Sequence, residues 1–301
     1  MVSNQSMSSP PPEAAALSPH QREAPLREIV VFIDGRTEAA SILEFAGVLA
    51  EEHGSRLVVV FMQPASTVTT AQSFARGKGI VEVIEVQKAQ LESIEANYRT
   101  QFEDTVRRHG IRSEWRSLPY LSREVAVNAY YADLVVAARP DGAAQTAGPP
   151  GLAESLVLSS GRPIILFPPR TKVSRVRRIL VSWNAKRESI RAVADAKPLL
   201  AKADAVEVLV VGHERHSADH GQEAGADIAR HLARHGARVD VRRVESGKED
   251  VGHLMLSQAA AFGADLLVMG AYGHSQLNEW VFGSVTRTIL YDAALPVLMS
   301  R

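Results

Sequence analysis

Five apolar runs occur in this chain and then recur in the same order, which limits the fold more than any other feature of the sequence. In the first half they are EIVVFID (28–34), RLVVVFM (56–62), SEWRSL (113–118), ADLVVAA (132–138) and PIILFP (163–168). In the second they are RRILVSW (177–183), AVEVLVVG (205–212), RVDVRRV (238–244), ADLLVMG (264–270) and PVLMS (296–300). Short Val/Ile/Leu-rich runs separated by longer amphipathic stretches are the pattern of βα units around a parallel sheet buried on both faces. The recurrence holds in register: REIVVFIDG at 27 falls on RRILVSWNA at 177, an offset of 150 that LVVVF and EVLVV share. RRHGIRSEWR matches LARHGARVDVR at 126 and ADLVVAAR matches ADLLVMGA at 132, so the offset changes only where loops or helices absorb length. The expected architecture is α/β: two tandem, doubly wound, five-stranded parallel-sheet domains of Rossmann-like type.

The expected organisation is a disordered tail at 1–25, a first domain at 26–170 and a second at 175–301, joined near PPRTKVSR (168–175). The tail is rich in Ser, Pro and Ala and lacks the apolar core of a signal peptide. The first copy carries extra length in QPASTVTTAQSFARGKG (63–79), read as a surface loop ahead of a long polar helix. With 34 basic and 34 acidic residues, the 301-residue chain has zero formal charge, which gives no support to a nucleic-acid or anionic-membrane partner. Cysteine is absent, so disulfides and thiol chemistry are excluded. No apolar stretch is long enough to span a bilayer, and the expected location is cytoplasmic.

The chemistry concentrates in VMGAYGHSQLNEWVFGSVTRTIL (268–290). In a parallel sheet, ligands bind beyond the carboxyl ends of the strands, and Gly270 and Gly273 stand there. Glycine lets backbone N–H groups approach an anion and permits the positive φ that an amide nest needs. Gly283 and Ser284 then open a helix whose Val285, Ile289 and Leu290 have helical spacing, and its free N–H groups, with the Ser284 and Thr286 hydroxyls, suit a second anion contact. No GxxxxGK[ST] and no GxGxxG after a first strand exists, and neither a GxSxG elbow nor a paired-histidine zinc motif is found, so no catalytic residue is assigned. His213, His216 and His220 read as a polar loop, and no metal site is assigned.

Gly270-x2-Gly273-x9-Gly283-Ser284, after the ADLLVMG strand and before a terminal PVLMS strand, resembles the ATP-binding signature of the universal stress protein family. ILVSWNAKRESIRAVADAKPLLAKADAVEVLVV resembles that family's opening strand, helix and second strand. The resemblance implies a fold of the adenine-nucleotide α-hydrolase-like type and ATP as ligand. Carried over by position, it places adenine and ribose near Ser182, Asn184 and Val211. It places phosphates near Met269, Gly270, Gly273, His274, Gly283, Ser284, Val285 and Thr286. Many members of the family that bind ATP have Asp where this chain has Asn184, which removes a charge that would help hold Mg²⁺. The function implied is regulatory, with weak ATPase activity or a nucleotide-free dimeric scaffold as alternatives. The final strands PIILFP and PVLMS are expected to meet within one chain in a pseudo-two-fold arrangement, with a homodimer and a protein partner as further expectations.

Applied backwards, the offset of 132 puts Gly270, Gly273, Gly283, Ser284 and Thr286 on Ala138, Asp141, Gly151, Leu152 and Glu154. Two of these place a carboxylate where a phosphate would lie. Like charges at that distance cost about a few kcal/mol, roughly two orders of magnitude in affinity. The first copy is therefore expected to keep the fold without binding ATP, although Asp34, the acid missing from the second copy, survives there.

Overall fold

The computed structural model describes residues 26–34, 39–63, 78–119, 123–139, 151–169, 171, 173–212, 225–271 and 283–301. The tail at 1–25 and the loop at 64–77 lie outside the described residues. The first half runs β1 (Glu28–Ile33), α1 (Ala39–His53), β2 (Arg56–Gln63), α2 (Lys78–His109), β3 (Ser113–Pro119), α3 (Arg123–Tyr130), β4 (Leu134–Ala138), α4 (Leu152–Ser159) and β5 (Ile164–Phe167). The second runs β6 (Arg178–Ser182), α5 (Arg187–Leu200), β7 (Ala205–Val211), α6 (Ala226–Arg234), β8 (Val239–Val244), α7 (Val251–Phe262), β9 (Leu266–Gly270), α8 (Ser284–Asp292) and β10 (Val297–Ser300). Each of the ten apolar runs matches one strand, with β2 and β3 extending one residue past theirs.

All ten strands join one sheet in the order β3-β2-β1-β4-β5-β10-β9-β6-β7-β8, so the second half mirrors the first. Neighbours within a half pair parallel. β5 and β10 pair antiparallel, with Val297 opposite Leu166, Leu298 opposite Ile165 and Met299 opposite Ile164. Alternate residues of each strand feed opposite faces. Ile29, Val31 and Ile33 point into a core packed by α1, α2, α5 and α6. Val30 and Phe32 point into the other, packed by α3, α4, α7 and α8. Both cores run across the junction between halves, which is why the sheet is continuous.

One hydrogen-bond device appears in both halves. Asp133 Oδ2 accepts the backbone N–H groups of Arg27 (2.7 Å) and Glu28 (3.0 Å) at the start of β1. Asp265 Oδ2 accepts those of Arg177 (3.0 Å) and Arg178 (2.9 Å) at the start of β6. A carboxylate taking two main-chain donors fixes the entry of each central strand against its neighbour. Across the junction, Glu52 of α1 accepts Arg177 at 2.7 Å and Arg175 at 3.4 Å, and its carbonyl accepts the Lys202 ammonium. The outer strands β3 and β8 are half-buried and carry charge, as with Glu114 between Arg56 and Arg116, which discourages edge-to-edge pairing. Among the described residues no helix is long and apolar enough to cross a membrane.

Candidate functional site

Strand order reverses between β6 and β9, and the crevice beyond their carboxyl ends is where an α/β sheet offers a ligand site. Ser182 and Gly270 end these two strands, and Val211 ends the adjoining β7. The structure thus brings Ser182, Asn184, Val211, Met269 and Gly270 to one rim, although they are far apart in sequence. Ser182 is half-buried and its hydroxyl donates to Met255 Sδ of α7 at 3.6 Å. Met269 is buried, and Val211 packs partly buried on the same core as α7 and α8.

Asn184 is exposed beyond β6, where its Oδ1 accepts the backbone N–H of Lys186 at 3.0 Å. That bond closes a tight turn in which Ala185 takes φ 56°, a positive value in a non-glycine residue. A left-handed alanine between strand and helix stores local strain, a feature that gathers at ligand-facing turns. Asn184 therefore shapes the turn, a task its amide oxygen performs as a carboxylate would.

Gly270 has a structural reason that the sequence did not show. A Cβ there would lie 2.4 Å from the carbonyl carbon of Glu188 and 2.6 Å from the Ser189 nitrogen, both backbone atoms of the first turn of α5. The missing side chain lets α5 lie against the end of β9 on the face away from Met269. Close helix-to-strand packing is thus one use of this glycine, beside any backbone approach to a ligand.

Gly283 caps α8 with φ −59° and ψ 149°, and no side chain caps the helix there. Among the described residues nothing lies within 4 Å of where its Cβ would be, and the first turn of the helix holds no acidic residue. Ser284 is exposed, Val285 half-buried and Thr286 buried at 5% exposure, so of the two expected hydroxyl donors Ser284 is the one facing outward. The helix start accordingly presents main-chain N–H groups and one hydroxyl to its surroundings. Gly273 and His274 lie outside the described residues, as do His213, His216 and His220.

The equivalent turn of the first half is filled. Glu154, at the position corresponding to Thr286, is buried, and its Oε2 folds back to 2.6 Å from where a Cβ of Gly151 would stand. Its Oε1 accepts the Tyr291 hydroxyl of α8 at 2.9 Å. Burial, then the bond to Glu154, pushes the Tyr291 phenol up to about 12, so it remains a donor. At the end of β1, burial and, second to it, the nearby Asp34 charge hold the Tyr98 phenol above its usual range, which places an aromatic residue of α2 near the surviving acid. Asp141 lies outside the described residues. A cavity of about 390 Å³ lies elsewhere, between α1, α2 and the segment joining the halves, lined in part by Ser41, Glu44, Asp104 and Arg108. Met255, Arg139 and Tyr291 carry no sequence signal of their role, because each acts on a residue more than 70 positions away.

Residues 176–301 match the sequence profile of the Universal stress protein family. Among solved structures, the chain is similar to a universal stress protein from Archaeoglobus fulgidus DSM 4304, at TM-score 0.67 and 15% identity, covering 93% of this chain and 99% of that one. It is also similar to a functionally unknown protein from Pseudomonas aeruginosa PAO1, at TM-score 0.59 and 15% identity, covering 91% and 92%. At such identities the likeness establishes the fold, which extends over both halves. No curated protein matches the sequence. The profile match covers the half that holds the α8 turn, and it is residues 176–301 that match the Universal stress protein family.

Proposed function

We propose that this protein is a tandem universal stress protein that binds ATP through its second half, and that its first half is a structural partner that binds none. Nucleotide occupancy then orders the surroundings of α8 and changes the surface offered to a protein partner in a stress response. The observation that carries the reading is the contrast between two equivalent helix starts. That of α8 opens on exposed Gly283 and Ser284 with no acidic residue in its first turn. That of α4 is filled by the carboxyl of Glu154. Triphosphate charge suits the first arrangement, through N–H donors and the helix dipole, and is repelled by the second. Ser182, Asn184 and Val211 at the rim would hold base and ribose, with Met269 and Gly270 beside the phosphates and Gly273, His274, Val285 and Thr286 completing the set. Bound ATP supplies a compact polyanion; Mg²⁺ would accompany it with Asn184 as a neutral neighbour.

Isothermal titration calorimetry with the full chain tests this. One ATP per chain is expected, and Gly273→Asp, which copies the first half's residue, should weaken binding about a hundredfold. Two equivalents, or unchanged binding in Gly273→Asp, would overturn it. A second reading, a nucleotide-free interaction scaffold, is favoured by Val81, Ile84 and Val86 of α2, which are all more than half exposed. It predicts no heat on titration.

A further inference from the structure

We propose that Glu154 stands in the first half where a phosphate would stand in the second, and that with Arg139 it makes the first half a clamp that positions α8 and so sets nucleotide affinity. The proposal rests on the ATP reading above and adds how the half that binds no nucleotide acts on the half that does.

The start of α4 is an anion site by construction, with a glycine at the cap and no side chain capping it. Glu154, the third residue of the helix, sets a carboxylate in that first turn without accepting a hydrogen bond from it. With no Cβ on Gly151, the Glu154 carboxyl lies in the space that one would occupy. Glu154 is 5% exposed, and its Oε2 is buried with no hydrogen-bond partner among the described residues. A buried carboxyl oxygen without a partner is costly, and the orientation that leaves it so is the one that gives Oε1 to Tyr291.

Tyr291 belongs to the last turn of α8, the helix whose first turn is the open one. The same end of α8 receives Arg139 from the close of β4: its guanidinium donates to the carbonyl of Tyr291 and, at 3.4 Å, to that of Leu290. A cation on the last carbonyls of a helix satisfies them and complements the dipole. From the other side α7 holds the helix, with Thr288 donating to Asp250 at 3.4 Å and His253 Nε2 3.4 Å from Asp292. A Cβ on Gly252 would stand 2.7 Å from Thr288 Cβ, so the two helices have no room to slide closer. Helix α8 is thus gripped at its C-terminal end, while among the described residues nothing lies within 4 Å of where a Cβ of Gly283 would stand at its N-terminal end. Nine residues of helix span about 13 Å, short enough to turn as a rigid unit, so displacement at Tyr291 moves the N–H groups at Ser284. Arg139 and Glu154 are positioning residues in this scheme and touch no ligand.

The test measures ATP affinity by calorimetry in the full chain for wild type, Tyr291→Phe, Glu154→Ala and Glu154→Gln, with thermal melts as a folding check. Tyr291→Phe, which removes one hydroxyl, and Glu154→Ala should each bind ATP about tenfold more weakly, while Glu154→Gln keeps an acceptor for Tyr291 and should stay within threefold of wild type. Coupling is reciprocal, so saturating ATP should slow amide hydrogen exchange in the first turn of α4, in the half with no ATP. Wild-type affinity in both Tyr291→Phe and Glu154→Ala, or no change in exchange at α4, overturns the clamp and leaves the ATP reading standing. Equal losses in the Ala and Gln variants also overturn it, because the acceptor would then not matter. Wild-type protein that binds no ATP removes the ATP reading itself, and the clamp with it.

Discussion

The first turns of α4 and α8 occupy equivalent places in two mirrored halves of one sheet and have come to opposite solutions. At α8 no side chain among the described residues caps the turn, and Ser284 is exposed beside it. At α4 a glutamate from the same turn has folded over the cap and reaches the other half through Tyr291. Fold and site are therefore separable: the strand order is the same on both sides of the junction, while the polar chemistry at the rim differs by a few side chains. Burial of apolar strands holds the architecture, and it is indifferent to which residues cap a helix at the surface.

The comparison breaks most sharply at the end of β9. Gly270→Ala places a Cβ against the backbone of α5, which can yield only by moving the helix, and a loss of roughly 3 kcal/mol is expected in chemical denaturation. The first half already carries Ala138 there, so Ala138→Gly should cost about 1 kcal/mol or less. Equal effects from the two would mean that the halves pack alike at this point and that the close approach of α5 is not real.

The next difference is at the end of α1. His53 is buried with no partner for Nδ1 among the described residues, at the place where α5 is followed by buried Ala203. Burial, and next the Lys202 charge, lower the imidazole from 6.5 to about 4. The unfolded chain therefore takes up a proton first as pH falls below 6.5, and stability drains away between 6.5 and 4, by about 3 kcal/mol at the lower limit. In His53→Ala that component should vanish. Denaturation of both proteins at pH 7, 5.5 and 4 checks it: a difference between them that does not change with pH would rule out a neutral buried imidazole.

The smallest expected contrast is a matched pair that should show none. Asp133→Ala and Asp265→Ala each remove a carboxylate that accepts two main-chain N–H groups. Each should cost about 2 kcal/mol, and the two losses should agree within the error of denaturant titration. A large inequality would show that one half depends on its strand entry more than the other, and that the mirrored order conceals unequal stabilities.

Much of this is legible in the sequence. Apolar runs suited to buried strands mark the eight inner strands, the half-buried edge strands β3 and β8 carry a more charged version of the pattern, and the spacing of Val285, Ile289 and Leu290 marks α8. The carboxylate at 154 was visible as a departure from the pattern of the second half. What was not visible was its use. The Gly270 to Glu188 approach, the Ser182 to Met255 contact and the Glu154 to Tyr291 bond link residues 82, 73 and 137 positions apart, and no local pattern encodes which distant side chain will be there. Thr286 illustrates the same limit: its hydroxyl reads as a ligand donor in sequence, and packing buries it.

The sequence by itself determined the elements, their order and their repetition, because strand and helix formation answer to hydrophobic periodicity over a few residues. The tertiary structure decided how the halves share one sheet through β5 and β10, which face of each strand end meets a helix, and which helix start is closed by its own glutamate. Those outcomes depend on side chains brought together from distant positions and on the space left between backbones, and that space exists only once the layers have packed.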